Sequence, residues 1–540
     1  MRTRGADALM RVLRERGVSQ VFTVSGNHVM SAFDAALDAG VALVHARHEA
    51  AAVHMADARS RVSGQVGVAL VTGGPGHANA ISALYTARMA EAPVVLLSGQ
   101  APRSQLGMGA FQEMAQAELA LPLTKAAWTC SGPDAIARDV ARAIAIACAG
   151  RPGPVSLSLP SDALEGDAGS GFDHEAAAAP ETLDPAVADA IVERLRKAAR
   201  PIVIVGPASM TRHGRVGATA LEAAIGIPVV GMESPRGIAD PSLGAFGEML
   251  AQADCVVLVG KRLDFTLRFA KPPAIAADCT FLQIDADAEE FARTRRAVGD
   301  RLALTARAAA AATLQRLAER ASARAPSRHA VWQREVEAAI AYRPPEWKGA
   351  SSKDPHRLHP LEALRPLQAL LDSRPDSVFV SDGGEFGQWA QACLHAPHRV
   401  INGMAGAIGS ALAYAIGARC ALPDAPIVAT LGDGTFGFHA AEIDTAARYK
   451  LPFVAVVGND ARWNAEYQIQ LREYGAGRLV GCELAPTRYD AVCAAFGGYG
   501  ELVTRASDMV GAISHAHASK APACVNAMIE GVAAPTFARR

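Results

Sequence analysis

Residues 427–460 read IVATLGDGTFGFHAAEIDTAARYKLPFVAVVGND, and this stretch decides the fold. Two apolar runs, IVATL and FVAVVG, flank a segment with helical spacing, which is the pattern of a strand–helix–strand unit in a parallel sheet. An acidic residue follows closely behind each run: Asp433 stands between two glycines, and Asp460 follows Asn459. Because the carboxyl ends of parallel strands lie along one edge of a sheet, we expect the two carboxylates to be neighbours at that edge.

The same stretch also matches a dinucleotide-binding pattern. Gly432, Gly434 and Gly437 satisfy G-x-G-x-x-G, and Asp460 ends the next strand, where such folds carry the acid that binds a ribose. Asp433 argues against NAD, because a carboxylate in the glycine turn would repel the pyrophosphate that a helix N-terminus attracts. A divalent cation removes this conflict, since Mg²⁺ binds one or two carboxylates together with phosphate oxygens. The stretch therefore predicts a diphosphate that binds together with a metal ion.

The composition is that of an ordinary globular protein. At roughly 150 residues per domain, a chain of 540 residues is expected to form about three domains. The net charge is −1 and 20% of the residues are charged, which predicts no general attraction to nucleic acid or to an anionic membrane surface. The nine scattered cysteines, and the lack of a signal peptide or of an apolar run long enough for a membrane span, predict a reduced, cytoplasmic protein.

Three α/β units follow one another along the chain, and each is expected to form a doubly wound parallel sheet. The first covers residues 1–165, the second residues 186–325 and the third residues 361–535. A linker rich in Gly, Ala and acidic residues spans 166–185, and a polar passage with several prolines spans 343–360. The first and third units look like related architectures, although no internal repeat aligns between them.

Motifs in the first unit join those of the third to make a resemblance to a known family specific. The motifs are Arg47-His48-Glu49-Ala50, Gly73-Gly74-Pro75-Gly76, Asn79 and FQE at 111–113, followed by Gly432-Asp433-Gly434 and Asn459-Asp460. This set resembles the thiamine-diphosphate enzymes of the acetolactate synthase, benzaldehyde lyase and 2-hydroxyacyl-CoA lyase group. The resemblance covers nearly the whole chain, in the family's order of a pyrimidine-binding, a central and a diphosphate-binding domain.

The resemblance implies a catalytic role for Glu49. Thiamine diphosphate becomes nucleophilic when its thiazolium C2 loses a proton to the cofactor's own 4'-imino group. Glu49 would hydrogen-bond N1' of the aminopyrimidine and favour the imino tautomer, a general acid/base role that suits a partly desolvated carboxyl group. By the same resemblance, the Gly406 carbonyl accepts a hydrogen bond from N4', and Ile408 wedges between the two rings. Without the resemblance, Glu49 is a plain acid at a helix N-terminus and Ile408 is a core residue.

The metal and the diphosphate are assigned by the same resemblance. Asp433 and Asp460 would bind Mg²⁺, with the backbone carbonyl of Arg462 as a third protein ligand. The family more often has Asn at the position of Asp460, so this chain adds a negative charge beside the diphosphate. The remaining residues that the resemblance implies in cofactor binding are Gly73, Asn79, Gly432, Gly434, Thr435 and Trp463.

On the substrate side the resemblance points to two further catalytic residues and to Trp463, which is equally well explained as a packing residue. His28, in SGNHVMSAF, stands where benzaldehyde lyase carries an active-site histidine, which favours acyloin or 2-hydroxyacyl chemistry. Gln112 lies in the FQE segment. A loop histidine with satisfied hydrogen bonds and an ordinary polar side chain are the alternative interpretations of the two.

A segment of the second unit, LVGKRLDFTLRFAKPPA at 258–274, resembles a loop that approaches FAD, ADP or CoA in relatives. A solvated basic loop explains the same residues equally well. No second nucleotide is therefore assigned to the central unit.

The leading functional prediction is an enzyme dependent on thiamine diphosphate and Mg²⁺ that makes or breaks a C–C bond next to a carbonyl. It would be an acetolactate synthase-like carboligase or a 2-hydroxyacyl or acyloin lyase. A decarboxylase of 2-keto acids or of the oxalyl-CoA type is the alternative, an NAD(P)-dependent dehydrogenase is a remote one, and the intact Glu49 disfavours a catalytically silent homologue. The expected partners are a small 2-keto acid, aldehyde or 2-hydroxyacyl substrate and further copies of this chain, in a homodimer or homotetramer.

Overall fold

The computed structural model describes residues 3–169, 181–323 and 328–539. Within these ranges three parallel sheets follow one another along the chain, which confirms the predicted α/β class with three doubly wound sheets. Most of the predicted linker, residues 170–180, and the end of the second predicted unit, residues 324–325, lie outside the described residues.

The first sheet belongs to the N-terminal unit. Its strands are β1 (Gln20–Thr23), β2 (Ala42–His45), β3 (Gly67–Val71), β4 (Val94–Gln100), β5 (Ala126–Thr129) and β6 (Val155–Pro160). Its helices are α1 (Gly5–Glu15), α2 (Met30–Ala39), α3 (Glu49–Ser63), α4 (Pro75–Met89), α5 (Gln116–Ala120), α6 (Ile136–Cys148) and α7 (Ser161–Glu165). The strand order is β2-β1-β3-β4-β6-β5, and neighbouring strands are parallel.

The second sheet forms the central unit. Its strands are β7 (Pro201–Val205), β8 (Val229–Gly231), β9 (Cys255–Val259), β10 (Thr280–Asp285) and β11 (Leu302–Arg307). Its helices are α8 (Pro185–Lys197), α9 (Arg212–Ile225), α10 (Phe246–Leu250), α11 (Ala288–Val298), α12 (Ala310–Ser322) and α13 (Ala330–Ala341). The strand order is β11-β10-β9-β7-β8, again with parallel neighbours.

The third sheet contains the stretch that opened the sequence analysis. Its strands are β12 (Val378–Ser381), β13 (His398–Ile401), β14 (Ile427–Gly432), β15 (Phe453–Asn459), β16 (Tyr499–Val503) and β17 (Pro522–Met528). Its helices are α14 (Pro360–Leu364), α15 (Leu367–Asp372), α16 (Gly384–Cys393), α17 (Ala411–Ala421), α18 (Asp433–Phe436), α19 (Glu442–Arg448), α20 (Asn464–Tyr474), α21 (Tyr489–Ala495) and α22 (Met509–Ala518). The strand order is β13-β12-β14-β15-β17-β16, with parallel neighbours.

The first and third sheets have the same topology. When the strands are counted within each unit, both sheets run in the order 2-1-3-4-6-5. The resemblance between the two units, which no sequence repeat revealed, is therefore a shared strand order.

These two units also share a hydrophobic core. Apolar side chains from both sheets form one buried cluster, and α3 packs along α17. On these helices, the Tyr414 hydroxyl donates a hydrogen bond to Asp57 at 3.0 Å, and Arg61 donates to the carbonyl of Ile401 at 2.9 Å. Each of the two helices follows the second strand of its own sheet, so the units meet through equivalent elements.

Burial explains why the central strands appear in the sequence as continuous apolar runs. Every residue of β3, β4 and β15 is buried, because helices cover both faces of a parallel sheet. The nine cysteines are all free. Across the described ranges, no helix is both long enough and apolar enough to cross a membrane.

Candidate active site

A cavity opens at the carboxyl edge of the third sheet. The predicted site residues that line it are Gly406, Ile408, Gly432, Asp433, Gly434, Thr435, Asp460, Arg462 and Trp463. Residues 234–236 of the central unit complete one wall. The structure thus gathers the predicted diphosphate, metal and ring contacts of the third unit into one space.

Two buried carboxylates lie in this cavity, at the ends of β14 and β15. The side chains of Asp433 and Asp460 belong to residues that are only 3% and 6% exposed. The backbone N–H groups of Gly434 and Arg462 donate to the two oxygens of Asp433, at 3.0 and 3.2 Å. Burial raises the pKa of Asp433 to about 6. Burial and the charge of Asp433 raise the pKa of Asp460 to about 7.

Two carboxylates that are buried in one cavity concentrate negative charge here. Arg462 offsets part of it, because its charge lowers the pKa of Asp460 while its guanidinium lies 4.2 Å from the centre of the Tyr467 ring. A divalent cation would stabilise both carboxylates in their charged form. The donor set therefore fits Mg²⁺.

The glycine turn after β14 is shaped by the side chain of Trp463. A Cβ atom on Gly434 would lie 2.7 Å from the indole ring, so only glycine fits beneath it. The hydroxyl of Thr435 donates to the carbonyl of Gly432 at 3.1 Å, which closes the turn on itself. These two contacts fix the shape of the turn.

The loop between β13 and α17 carries the predicted wedge. Ile408 is 36% exposed and faces the cavity, so it is not the core residue that its apolar character alone would indicate. Asp382, fully buried at the end of β12, holds this loop by accepting hydrogen bonds from the N–H groups of Gly409 at 3.0 Å and Ala411 at 3.2 Å. Gly406 lies in the loop with a positive φ of 68°.

Glu49 lies at the carboxyl edge of the first sheet, as the first residue of α3. Its side chain is partly exposed, and Asn79 Nδ2 donates to Glu49 Oε2 at 3.0 Å. The preceding residue, His48, caps the helix by accepting the N–H of Ala50 at 3.1 Å. The carboxylate is therefore oriented by an amide from α4 and remains accessible.

The other predicted residues of the first unit surround the neighbouring strand ends. His28 is buried beside Thr72, with 3.2 Å between His28 Nδ1 and the threonine hydroxyl, and burial lowers its pKa, so the ring is neutral near pH 7. Gly73 approaches the β4 end so closely that a Cβ atom would lie 2.7 Å from the Gly99 carbonyl. Gln112 is half-buried in the loop after β4 and has a positive φ of 58°.

Within one chain the predicted site residues form two separate groups. In the part of the chain that the structure describes, no residue of the first unit lines the cavity of the third. Glu49 and Asn79 are in direct contact at the carboxyl edge of the first sheet, while Asp433 and Asp460 lie at the carboxyl edge of the third sheet.

Three residues that support or line these two groups were not identified from the sequence. Gln116, fully buried, accepts the N–H of Gly74 at 2.8 Å and donates to the Gly99 carbonyl at 3.1 Å, but no local pattern marks it. Asp382 directly follows the apolar run VFVS, so the pattern that identified Asp433 could have found it. Arg236 belongs to the central unit, and only its place in the fold connects it with the cavity.

Models of one family match all three units. The N-terminal thiamine pyrophosphate (TPP) binding domain of the thiamine pyrophosphate enzymes matches residues 3–119, the central domain matches 188–317 and the C-terminal TPP binding domain matches 382–527. A probable acetolactate synthase of Mycobacterium bovis is 32% identical, over 97% of this chain and 95% of its own. The chain belongs to the thiamine pyrophosphate enzyme family.

Other members extend the comparison. A 2-hydroxyacyl-CoA lyase 2 of Danio rerio is 30% identical, over 93% of this chain and 87% of its own. The solved structure of a thiamine diphosphate-dependent 4-hydroxybenzoylformate decarboxylase from Rhodococcus jostii RHA1 superimposes with a TM-score of 0.81 over 98% of this chain and 99% of its own, at 22% identity. That likeness shows the fold of this thiamine pyrophosphate enzyme.

Family membership decides between the two ligands that the glycine pattern allowed. The C-terminal TPP binding domain match contains Gly432, Asp433 and Gly434, so the glycine turn belongs to a thiamine pyrophosphate domain. The N-terminal match contains Glu49. The chain is a thiamine diphosphate-dependent enzyme.

Proposed function

We propose that this thiamine pyrophosphate enzyme makes or breaks a C–C bond next to a carbonyl, as an acetolactate synthase-like carboligase or a 2-hydroxyacyl or acyloin lyase. The observation that carries the proposal is the division of acids between two sheet edges. Asp433 and Asp460 are buried together, while Glu49 is partly exposed and bonded to Asn79. One edge suits a metal-bound diphosphate, and the other suits a group that exchanges a proton.

The third unit would hold the diphosphate end of the cofactor. Asp433, Asp460 and the carbonyl of Arg462 would hold Mg²⁺, which would supply the positive charge that a diphosphate needs beside two carboxylates. Ile408, exposed in the cavity, would keep the two rings of the cofactor in a bent arrangement, and the Gly406 carbonyl would accept a hydrogen bond from N4'. When bound, thiamine diphosphate supplies a carbon nucleophile for attack on a carbonyl group.

The first unit would supply the proton chemistry. Glu49 would hold and exchange a proton at N1' of the aminopyrimidine, and the Asn79 amide keeps its carboxylate in one orientation. His28, neutral and bonded to Thr72, would donate to or accept from the substrate oxygen. Gln112 would assist from the loop in which its neighbour Phe111 lies 6.4 Å from the His28 ring. The chain's similarity to an acetolactate synthase and to a 2-hydroxyacyl-CoA lyase supports this pair of reaction types.

A complete site would require a second copy of the chain. One cofactor must reach both Glu49 and Asp433, which the single chain presents at different edges. The surfaces beside these edges expose large apolar side chains, with Phe111 70% exposed near His28 and Phe438 53% exposed near Trp463. We therefore propose a homodimer or a dimer of dimers with sites between chains, since two-fold symmetry is the commonest in homo-oligomers.

A panel of substrates tests the reaction. The purified enzyme, loaded with thiamine diphosphate and Mg²⁺, is incubated with a 2-keto acid, with pairs of aldehydes and with a 2-hydroxyacyl-CoA, and acetolactate, acyloin, formyl-CoA and CO₂ are measured. We expect a product with a new C–C bond, or cleavage of a 2-hydroxyacyl or acyloin substrate. Release of CO₂ with only the free aldehyde would instead show a decarboxylase, and metal-independent NAD binding without thiamine diphosphate binding would refute the cofactor assignment.

A further inference from the structure

Glu442, the first residue of α19 in the third unit, forms hydrogen bonds with the backbone of the first unit. Its Oε1 atom accepts hydrogen bonds from the N–H groups of Arg47 at 3.0 Å and His48 at 3.1 Å. Its Oε2 atom lies 3.2 Å from the N–H of Arg47 and accepts from the Thr445 hydroxyl at 2.7 Å. The residue is 1% exposed, so these contacts replace water around the whole carboxylate.

The two N–H groups belong to the residues immediately before Glu49. His48 is the N-cap of α3, with φ −147° and ψ 143°, and its backbone sets the direction in which the first helical side chain leaves. A carboxylate at this place is also favoured by the positive end of the helix dipole. Glu442 thus fixes the position from which Glu49 projects, without being part of the edge where Glu49 acts.

Ionisation of this buried acid has a cost that its partners offset only in part. Burial raises the pKa of Glu442 to about 7, while the Thr445 hydroxyl and the N–H groups of Arg47 and His48 favour the charged form. The nearby charged side chain of Arg448 acts in the same direction. A carboxylate kept at such a cost, with all its partners on the backbone or on one hydroxyl, is suited to holding a chain segment in place.

We propose that Glu442 is a positioning residue for Glu49. The proposal rests on the proposed function, in which Glu49 exchanges a proton with the cofactor. Glu442 follows Asp433 on the same chain, yet it acts on the Glu49 edge. If active sites form between chains, the Glu442 and the Asp433 of one chain therefore act in two different active sites.

The first test replaces the carboxylate with an amide. In Glu442→Gln the side chain keeps its size but loses its charge. Its amide oxygen can still accept from the N–H groups of Arg47 and His48, but as a weaker, uncharged acceptor. Its NH₂ group cannot accept and therefore loses the second contact with the N–H of Arg47 and the hydrogen bond from the Thr445 hydroxyl. We expect kcat to fall about 10-fold to 10²-fold, the scale of a small misplacement of a catalytic group, with KM and thiamine diphosphate affinity changed less than about threefold. Hydrogen–deuterium exchange at C2 of the bound cofactor should slow by the same factor as kcat.

A control variant comes from the same helix. Asp444 pairs with the side chains of Arg47 and Arg448, at 3.5 and 2.8 Å, and makes no hydrogen bond with the backbone before Glu49. Asp444→Asn should leave kcat and C2 exchange within about twofold. If Glu442→Gln proves unstable, Thr445→Val keeps the carboxylate but removes the hydroxyl that orients it, and a smaller loss of kcat and C2 exchange is expected.

The second test asks on which site Glu442 acts. Glu442→Gln chains are mixed with Asp433→Ala chains under conditions that exchange subunits, and in parallel with Glu49→Gln chains. In the first mixture each heterodimer contains one site with an intact Glu49 edge and an intact Asp433, so activity should rise above that of both parents. In the second mixture both sites keep a damaged Glu49 edge, and no rise is expected.

The outcomes separate this proposal from the function on which it rests. A rise only in the mixture with Glu49→Gln would overturn the positioning role, because it would assign the damage to the diphosphate edge. Normal C2 exchange in Glu442→Gln, or an equal fall in Asp444→Asn, would also overturn it. If wild-type protein fails to bind thiamine diphosphate with Mg²⁺, the proposed function itself has failed.

Discussion

The first and third units have the same strand order, yet equivalent loops carry opposite chemistry. After the second strand, the first unit has Glu49 at the start of α3, and the third unit has the loop of Gly406 and Ile408 before α17. After the third strand, the first unit has the uncharged turn at Gly73, and the third unit has Asp433 between two glycines. One architecture thus supplies either an acid or an exposed apolar side chain at the same topological position.

The two units differ in how deeply their carboxylates are buried and in which groups these carboxylates contact. Asp433 and Asp460 are buried side by side, and their pKa values rise to about 6 and 7. Glu49 is partly exposed and accepts a hydrogen bond from the neutral amide of Asn79. A buried pair of acids is suited to a cation, whereas an accessible acid with a neutral partner is suited to proton exchange. The strand order therefore fixes where a loop lies, and the side chains decide its task.

The largest effect is expected from removing the buried acid of the third unit. Asp433→Ala should abolish metal-dependent binding of thiamine diphosphate, because it removes the metal ligand that the N–H groups of Gly434 and Arg462 hold in place at the glycine turn. Calorimetry with and without Mg²⁺ measures the binding. Asp424→Ala, at an exposed position before the start of β14, is the control and should bind normally. Retained binding in Asp433→Ala would contradict the assignment of the metal-bound diphosphate to the edge of the third sheet that carries Asp433.

The next effect concerns the acid of the first unit. Glu49→Gln should leave cofactor binding largely intact but lower turnover by about 10² or more, because the amide cannot share a proton with N1'. The rate of C2 hydrogen–deuterium exchange reports this step directly. Glu118→Gln, on the exposed side of α5, provides a control of equal chemistry. A wild-type exchange rate in Glu49→Gln would refute the catalytic assignment.

Mixing these two inactive chains sharpens the comparison. If the first unit of one chain faces the third unit of another, a Glu49→Gln and Asp433→Ala heterodimer has one intact site and one doubly damaged site. An equal mixture with free exchange should recover about a quarter of the wild-type activity, since half the dimers are mixed and each has one working site. Activity assays measure the recovery, and a measurement of subunit exchange shows whether mixed dimers have formed. Confirmed exchange with no recovered activity, or an active monomer, would contradict a site between chains.

The smallest effect is expected at the second buried acid. Asp460→Asn should be tolerated, with cofactor affinity within a few-fold of the wild type, because an amide oxygen also binds Mg²⁺ and one of two repelling charges is removed. Titration of thiamine diphosphate at fixed Mg²⁺ gives the affinity. Equal losses in Asp460→Asn and Asp433→Ala would show that the two acids have the same role.

That Asp433 and Asp460 lie in one cavity could be predicted because both acids follow recognisable strands. Asp433 and Asp460 each come after an apolar run, and the carboxyl ends of parallel strands meet at one edge. The RHEA motif marks Glu49 as a catalytic candidate, which stays a prediction. Gln116 was missed, because its role consists of hydrogen bonds to Gly74 and Gly99, which the chain brings near only after folding.

The sequence by itself determined the family, the three sheets and the positions of the acids, because these depend on local periodicity and on short motifs. Only the tertiary structure decided that Ile408 faces a cavity, that the first and third sheets share one strand order, and that Glu442 holds the backbone before Glu49. The burial of an isoleucine and the partner of a carboxylate depend on which distant segments pack together. That packing arises from the whole core, in which α3 and α17 meet, and no local pattern records it.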